Sequence, residues 1–454
     1  MNKLFTLLTI LLIALPAYAQ PDSTESFGQI YLDMPLLSLP TQADAIRTTG
    51  GFFPSYMNPG MENSLAYSAD VYTAVHYGIR KLVKIEKSSL WESILQRVAI
   101  GAFDGIWMMM PLGMGWLHEE YHRDVMTQYG VNSFNEMLLC RIFDEVTAVS
   151  HETDEDMAML CDTRHPDFVR LNSAGHEGVV DLTRRMQANA FFYHQKLYNQ
   201  YLYWSNAVQN FYYVFSCATG RSDKAAIRQM EQETTIESRD FTGMDMCGWI
   251  HALCNPDTPY SARGTHPSGV GIHRYIMYDM IPDEGKAYLT RQAWLEAFNF
   301  ISPMLIGYDR FRLGNSDSYG NFAFRHYLTS FGSDVALDLY YQKAQYNLYG
   351  TIHTYHNADH HFGGLELGLV DLPLLDNRMQ AGGVVMGWVQ PKDQLFKTAS
   401  GTFGGLVKAR MAYHSRFLDP YVELGWKSAG WVAGNGKLGS GAFLRAGLRW
   451  QIGR

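Results

Sequence analysis

The feature that most restricts the fold is a change of hydrophobic period near Gly314. Beyond it, apolar residues alternate strictly with polar or small ones. Val407, Ala409, Met411 and Tyr413 interleave with Lys408, Arg410, Ala412 and His414, and Val422, Leu424 and Trp426 interleave with Glu423, Gly425 and Lys427. Leu444 to Ile452 repeats the pattern around Arg445, Gly447, Arg449 and Gln451. A period of two marks half-buried strands. Similar runs at 335–346, 347–356, 362–372 and 379–390, separated by Asp376-Asn377 and Gly434-Asn435-Gly436, predict an antiparallel meander.

Before that point the spacing is helical. Val71, Tyr72, Val75, Ile79, Leu82 and Val83 fall on one helix face, and Ser89-Leu90-Trp91-Glu92 reads as a capping box opening the next helix. The run from Val98 to Leu117 is almost wholly apolar and long enough to be weighed as a membrane span. Pro111 and three glycines interrupt it, so it is expected as a core helix that breaks near Pro111 and restarts. The expected class is therefore α+β: a mainly helical domain over 61–313 and an antiparallel β-domain over 314–454, possibly a β-barrel. Residues 20–60 form a strand and loop segment ahead of both.

The restarted helix carries the main chemical signal, His118-Glu119-Glu120-Tyr121-His122. Residues four apart share a helix face, so the two imidazoles of HExxH can reach one metal ion while Glu119 addresses a water beside it. A second run, Glu177 to Asp181, places two acids on one face of another amphipathic helix.

HExxH followed by ExxxD resembles the gluzincin zinc metallopeptidases. The resemblance implies one zinc ion held by His118, His122 and Glu177, with Glu119 as general base and Asp181 supporting a ligand histidine from behind. His176 is a rival ligand on the same turn. A metzincin pattern fails, because Val125 and Gln128 stand where Gly and His are required. Developing charge on a substrate oxygen needs a donor, and His251, Tyr260, His266 and His273, in a stretch from Cys247 to Tyr278 that reads as irregular, are candidates. His353, His356, His360 and His361 with Asp359 read as a polar turn at a strand end.

The N-terminus supplies the compartment. Lys3, the apolar stretch from Leu4 to Leu15 and Ala17-Tyr18-Ala19 form a secretory signal over 1–19, with cleavage expected before Gln20. In an exported chain the five cysteines allow disulfides, Cys247 with Cys254 and Cys140 with Cys161 being closest in sequence, or buried thiols. A net charge of −8 and the absence of a basic, aromatic-interleaved cluster exclude a nucleic-acid partner. Two functions fit. One is an exported zinc metallopeptidase acting on a peptide or protein in the periplasm or at the outer membrane. The other is an outer-membrane barrel or envelope-binding protein whose metal site is structural or vestigial. For the β-domain, a lipid-facing barrel and a soluble barrel or sandwich alternate identically.

Overall fold

The computed structural model describes residues 30–40, 45–47, 55–57, 59–82, 90–139, 149–193, 195, 200–314, 316–415 and 418–452. The expected signal segment, Ser89 of the expected capping box, and Cys140 lie outside the described residues.

In chain order the elements are β1 (Ile30–Leu39), β2 (Ala45–Arg47), β3 (Ser55–Met57), α1 (Met61–Leu82), α2 (Leu90–Trp107), α3 (Met114–Thr127), β4 (Phe134–Asn135) and β5 (Val149–Ser150). There follow α4 (Asp154–Thr163), α5 (His165–Tyr193), α6 (Gln200–Ala218), α7 (Asp223–Gln232), α8 (Asp245–Cys254), α9 (Asp283–Leu295) and β6 (Phe311–Arg312). The sheet is completed by β7 (Ser318–Thr329), β8 (Gly332–Lys343), β9 (Tyr346–His356), β10 (His361–Leu374), β11 (Met379–Pro391), β12 (Gly401–Tyr413), β13 (Leu418–Lys427) and β14 (Gly441–Ile452).

Ten strands form one antiparallel sheet in the order β1-β14-β13-β12-β11-β10-β9-β8-β7-β6. The meander is as expected, but it does not close into a barrel. Its edges are β1 and the two-residue β6; α1 lies on β1, and α5 with the turns at 296–306 lies on β7, next to β6. The N-terminal strand belongs to this sheet, with Ile30 opposite Ile452. The helical portion is thus threaded between the first strand and the rest. β7 escapes an alternation search because it is covered on both faces along most of its length.

The register sorts the side chains into two faces. Phe322, Leu339, Gly350, Leu367, Val385, Val407 and Trp426 form one outward row across seven strands. Arg410, Glu423 and Arg445 form an inward one. The inward face wraps α5. Arg184 reaches Thr351 of β9 and Glu366 of β10, while its neighbour Arg185 pairs with Asp33 of β1. Adjacent helix residues point about 100° apart, so strands on different sides of one helix meet it.

Within the helical portion the core is ordinary and apolar, built around Trp107, Trp116, Leu117, Tyr121, Val125, Phe168 and Trp249. The apolar run does break at Pro111: α2 ends at Trp107 and α3 starts at Met114. Gly113 permits the sharp entry, since a Cβ there would lie 1.9 Å from the Trp107 carbonyl oxygen. Among the described residues no helix is long and apolar enough to cross a membrane. Cys161, Cys217, Cys247 and Cys254 are free thiols, so Cys247 and Cys254 are not bridged. The stretch after Cys247 is also less irregular than expected, because Cys247 lies inside α8.

Candidate metal centre

α3 is buried along nearly its whole length, and its polar residues are divided by face. Glu120 and Arg123 pair at 2.7 Å, with Asn135 donating to Glu120 at 2.8 Å and Arg123 donating to the Ser133 carbonyl at 3.0 Å. These contacts fix the helix. Another face presents His118 and His122, with Glu119 on the flank between the two faces, and the ligand atoms of these three residues all lie within 4.8 Å of one another.

The third acid is Asp245, the first residue of α8. Its Oδ2 lies 2.8 Å from His118 Nε2 and 3.3 Å from His122 Nε2. Donors held 2.0–2.1 Å from a tetrahedral ion are separated by about 3.3 Å, close to these spacings. His122 Nδ1–H donates to the Leu171 carbonyl at 2.6 Å, which leaves Nε2 with its lone pair toward Asp245. That Nε2 is buried without a hydrogen-bond partner. The two imidazoles also need room: a Cβ on Gly175 of α5 would lie 2.4 Å from both Nε2 atoms. An orphaned ring nitrogen, a convergent carboxylate and a side-chain-free wall together fit a metal ion.

Gly175, not Glu177, faces the imidazoles, and Glu177, the expected third ligand, is placed elsewhere. Two residues further along a helix is about 200° around it, so Glu177 points away from the imidazoles. Glu177 forms a bidentate pair with Arg170 on the same helix, and accepts from Trp431 Nε1–H at 3.1 Å and from the Gly434 N–H at 2.8 Å. Asp181 likewise supports no histidine: it accepts from Tyr121 at 3.1 Å and from Tyr327 at 3.0 Å. The support expected of Asp181 comes instead from the Leu171 carbonyl. His176 pairs with Glu296 at 2.8 Å, and Glu296 is shared with His326. His353, from the His-rich turn, pairs with Asp334.

Glu119 sits on the wall of a cleft of about 290 Å³ that also holds His118, Asp245 and Tyr213. Burial pushes its carboxyl up to about 7, against the opposing pull of His118. Asp245 is held well below the usual carboxylate range: burial opposes ionisation, but His122 and His118 outweigh it. The Tyr213 hydroxyl accepts the Asp245 N–H at 3.0 Å, which leaves its own O–H to donate. Burial and the nearby Asp245 raise its pKa far above the ordinary tyrosine value, so it stays protonated. None of His251, Tyr260, His266 or His273 lines this cleft.

Sequence reasoning missed Asp245 and Tyr213. Asp245 resembles any first-turn helix acid, and Tyr213 lies in an aromatic run that reads as core. Compared with known proteins, the chain matches no family model, no curated protein and no solved structure. The gluzincin resemblance is therefore reduced to HExxH itself.

Proposed function

We propose that the chain is an exported zinc metallopeptidase whose metal ligands are His118, His122 and Asp245. What supports this reading is the convergence of both Nε2 atoms on Asp245 Oδ2, with a buried, unpaired-base candidate in Glu119 on the adjoining cleft wall. Two imidazoles and one carboxylate are a catalytic zinc donor set, leaving one position for water. Bound zinc would lower the pKa of a water and polarise the scissile carbonyl.

Glu119 takes a proton from the attacking water and returns it to the leaving amine. A carboxyl poised near neutrality suits both transfers, because neither protonation state is strongly favoured. Tyr213 offers a hydrogen bond to the substrate oxygen as it gains charge. Met108, Met109, Met114, Met137 and Met244 line the cleft and suit an apolar substrate side chain, since methionine adapts to irregular shapes.

The test is zinc content together with hydrolysis of an unstructured protein such as casein. Wild type should bind one zinc per chain, Asp245→Ala should lose it, and Glu119→Gln should keep zinc while losing hydrolysis. A Glu177→Ala protein that loses zinc while Asp245→Ala retains it would return the ligand role to Glu177. Wild-type protein without stoichiometric zinc would remove the reading altogether.

A further inference from the structure

The charge of the sheet is turned inward, beside an inner apolar cluster of Tyr327, Tyr355, Val384, Met386, Trp388 and Leu406, while its outer face is apolar. On its inner face, Arg449 bonds Asp33 at 2.9 Å, Arg410 bonds the same carboxylate at 2.9 Å, and Arg445 bonds Glu423 at 2.6 Å. Arg325 pairs with Asp338 between β7 and β8, both buried. The outward face, read across the strand pairs, carries no Asp, Glu, Lys or Arg short of the strand ends. Eighteen large apolar side chains on β7 to β14 are more than a third exposed, Phe403 at 86% and Val385 at 62%. A water-soluble monomer rarely exposes a contiguous apolar patch above a few hundred Å², and this one crosses eight strands.

Three further observations select lipid over a protein partner. Strand lengths run from 10 residues in β13 to 14 in β10, whereas soluble strands average 5–6 and a tilted membrane strand needs about 9–11. Outward Tyr341, Tyr346, Tyr413 and Trp450 lie near one end of the strands, and Phe403 and Trp426 near the other, with Leu, Val, Ile and Met between. That distribution matches aromatic girdles around an apolar band. The band also continues past β7 through exposed Ile301, Ile306 and Phe311, so the edge of the sheet is apolar too.

We infer that the outward face of β8 to β14, with Phe322 of β7 at its margin, is a lipid-facing wall whose occupant is the acyl chains of a bilayer, with α5 filling the interior among its ion pairs and apolar cluster. The inference does not depend on the hydrolytic reading, since it uses no residue of the metal centre. It also places that centre. Trp249 donates to the Thr329 carbonyl, and Gly434 to Glu177, so the helical site is tied to the strand ends with the longer connections, 392–400 and 428–440.

The test uses the full chain reconstituted into phosphatidylcholine vesicles containing lipids doxyl-labelled on the acyl chain close to its carbonyl end, at the depth of the two girdles. Tryptophan fluorescence should be quenched, and Trp426→Leu with Trp450→Leu should remove most of the quenched fraction while leaving the unquenched emission of buried Trp249. Val385→Arg should reduce the urea-resistant membrane-bound protein by roughly tenfold or more, with Phe403→Tyr at a strand end assembling as wild type. Two results would overturn the inference. One is a chain that remains monodisperse without detergent and shows no doxyl quenching. The other is a detergent-free dimer that buries Trp426 against a second copy.

Discussion

The helical portion and the sheet bury different things. Around α3 and α5 the interior is mainly Trp, Leu, Met and Phe, and the polar groups inside fall into discrete sets: the candidate metal centre and buried pairs such as Arg170 with Glu177, His176 with Glu296 and Arg274 with Glu152. Inside the sheet Arg, Asp and Glu are buried in pairs beside an apolar cluster of Tyr355, Val384, Met386, Trp388 and Leu406, and Leu, Val and Phe stand outside as well. In the first region stability comes mainly from removing apolar surface from water, with the buried polar groups paired to one another. In the second, the buried ion pairs satisfy one another, and the apolar residues need something other than water.

The largest effect that tests the comparison is on the metal side. Glu119→Gln should lower hydrolysis by about 10³-fold or more without changing zinc content, because the carboxamide cannot move a proton. Measured kcat beside metal analysis checks it; equal loss of zinc would make Glu119 a ligand. Gly175→Ala sharpens the same region. Its methyl would sit 2.4 Å from both Nε2 atoms, so zinc content should fall while the far-UV spectrum stays that of wild type.

Arg449→Leu asks the reverse question of the sheet. It takes one of three arginines from Asp33, leaving Arg410 and Arg185, and it removes the Arg449 cation from Asp371. Removing one partner of a buried pair costs about 3–5 kcal/mol, and denaturant unfolding in detergent should show a loss of that order. An unchanged midpoint would mean that water reaches these groups.

How much of this could be read from the chain follows the same division. HExxH is local, five residues on one helix, and its face is dictated by helical geometry. Asp245 lies far along the chain and reaches His118 only because α8 packs against α5, which no spacing encodes. The period of two in β12, β13 and β14 is equally local and legible. Its sign is not, because alternation reads the same whichever face is inside; only the pairing of Arg449 with Asp33, contributed by a strand near the other end of the chain, decides it. Glu177 misled because ExxxD on a helix is common, and a glycine two residues earlier faces the imidazoles in its place.

Tyr213→Phe should produce a smaller change. If its hydroxyl meets the substrate oxygen only as charge develops, kcat should fall by about 10- to 100-fold with KM nearly unchanged. Zinc content should stay at one per chain, since the Asp245 N–H loses only an acceptor. A rise in KM at constant kcat would make Tyr213 a wall of the cleft.

The smallest effect comes from the pair Leu289→Ala and Leu424→Ala, the same substitution in the two regions. Leu289 is wholly buried in the helical core, where truncation leaves a cavity and costs about 2–5 kcal/mol. Leu424 is 58% exposed on the outward face of β13, between Ala409 and Leu444 on its neighbours. No cavity forms there, because detergent or lipid fills the space that the side chain leaves. Its cost in detergent should stay within about 0.5 kcal/mol, the range of a surface substitution. Unfolding of both variants in the same detergent makes the comparison direct. If Leu424→Ala proves as costly as Leu289→Ala, the outward face is packed against protein, and the apolar outside of the sheet would then require a partner chain to cover it.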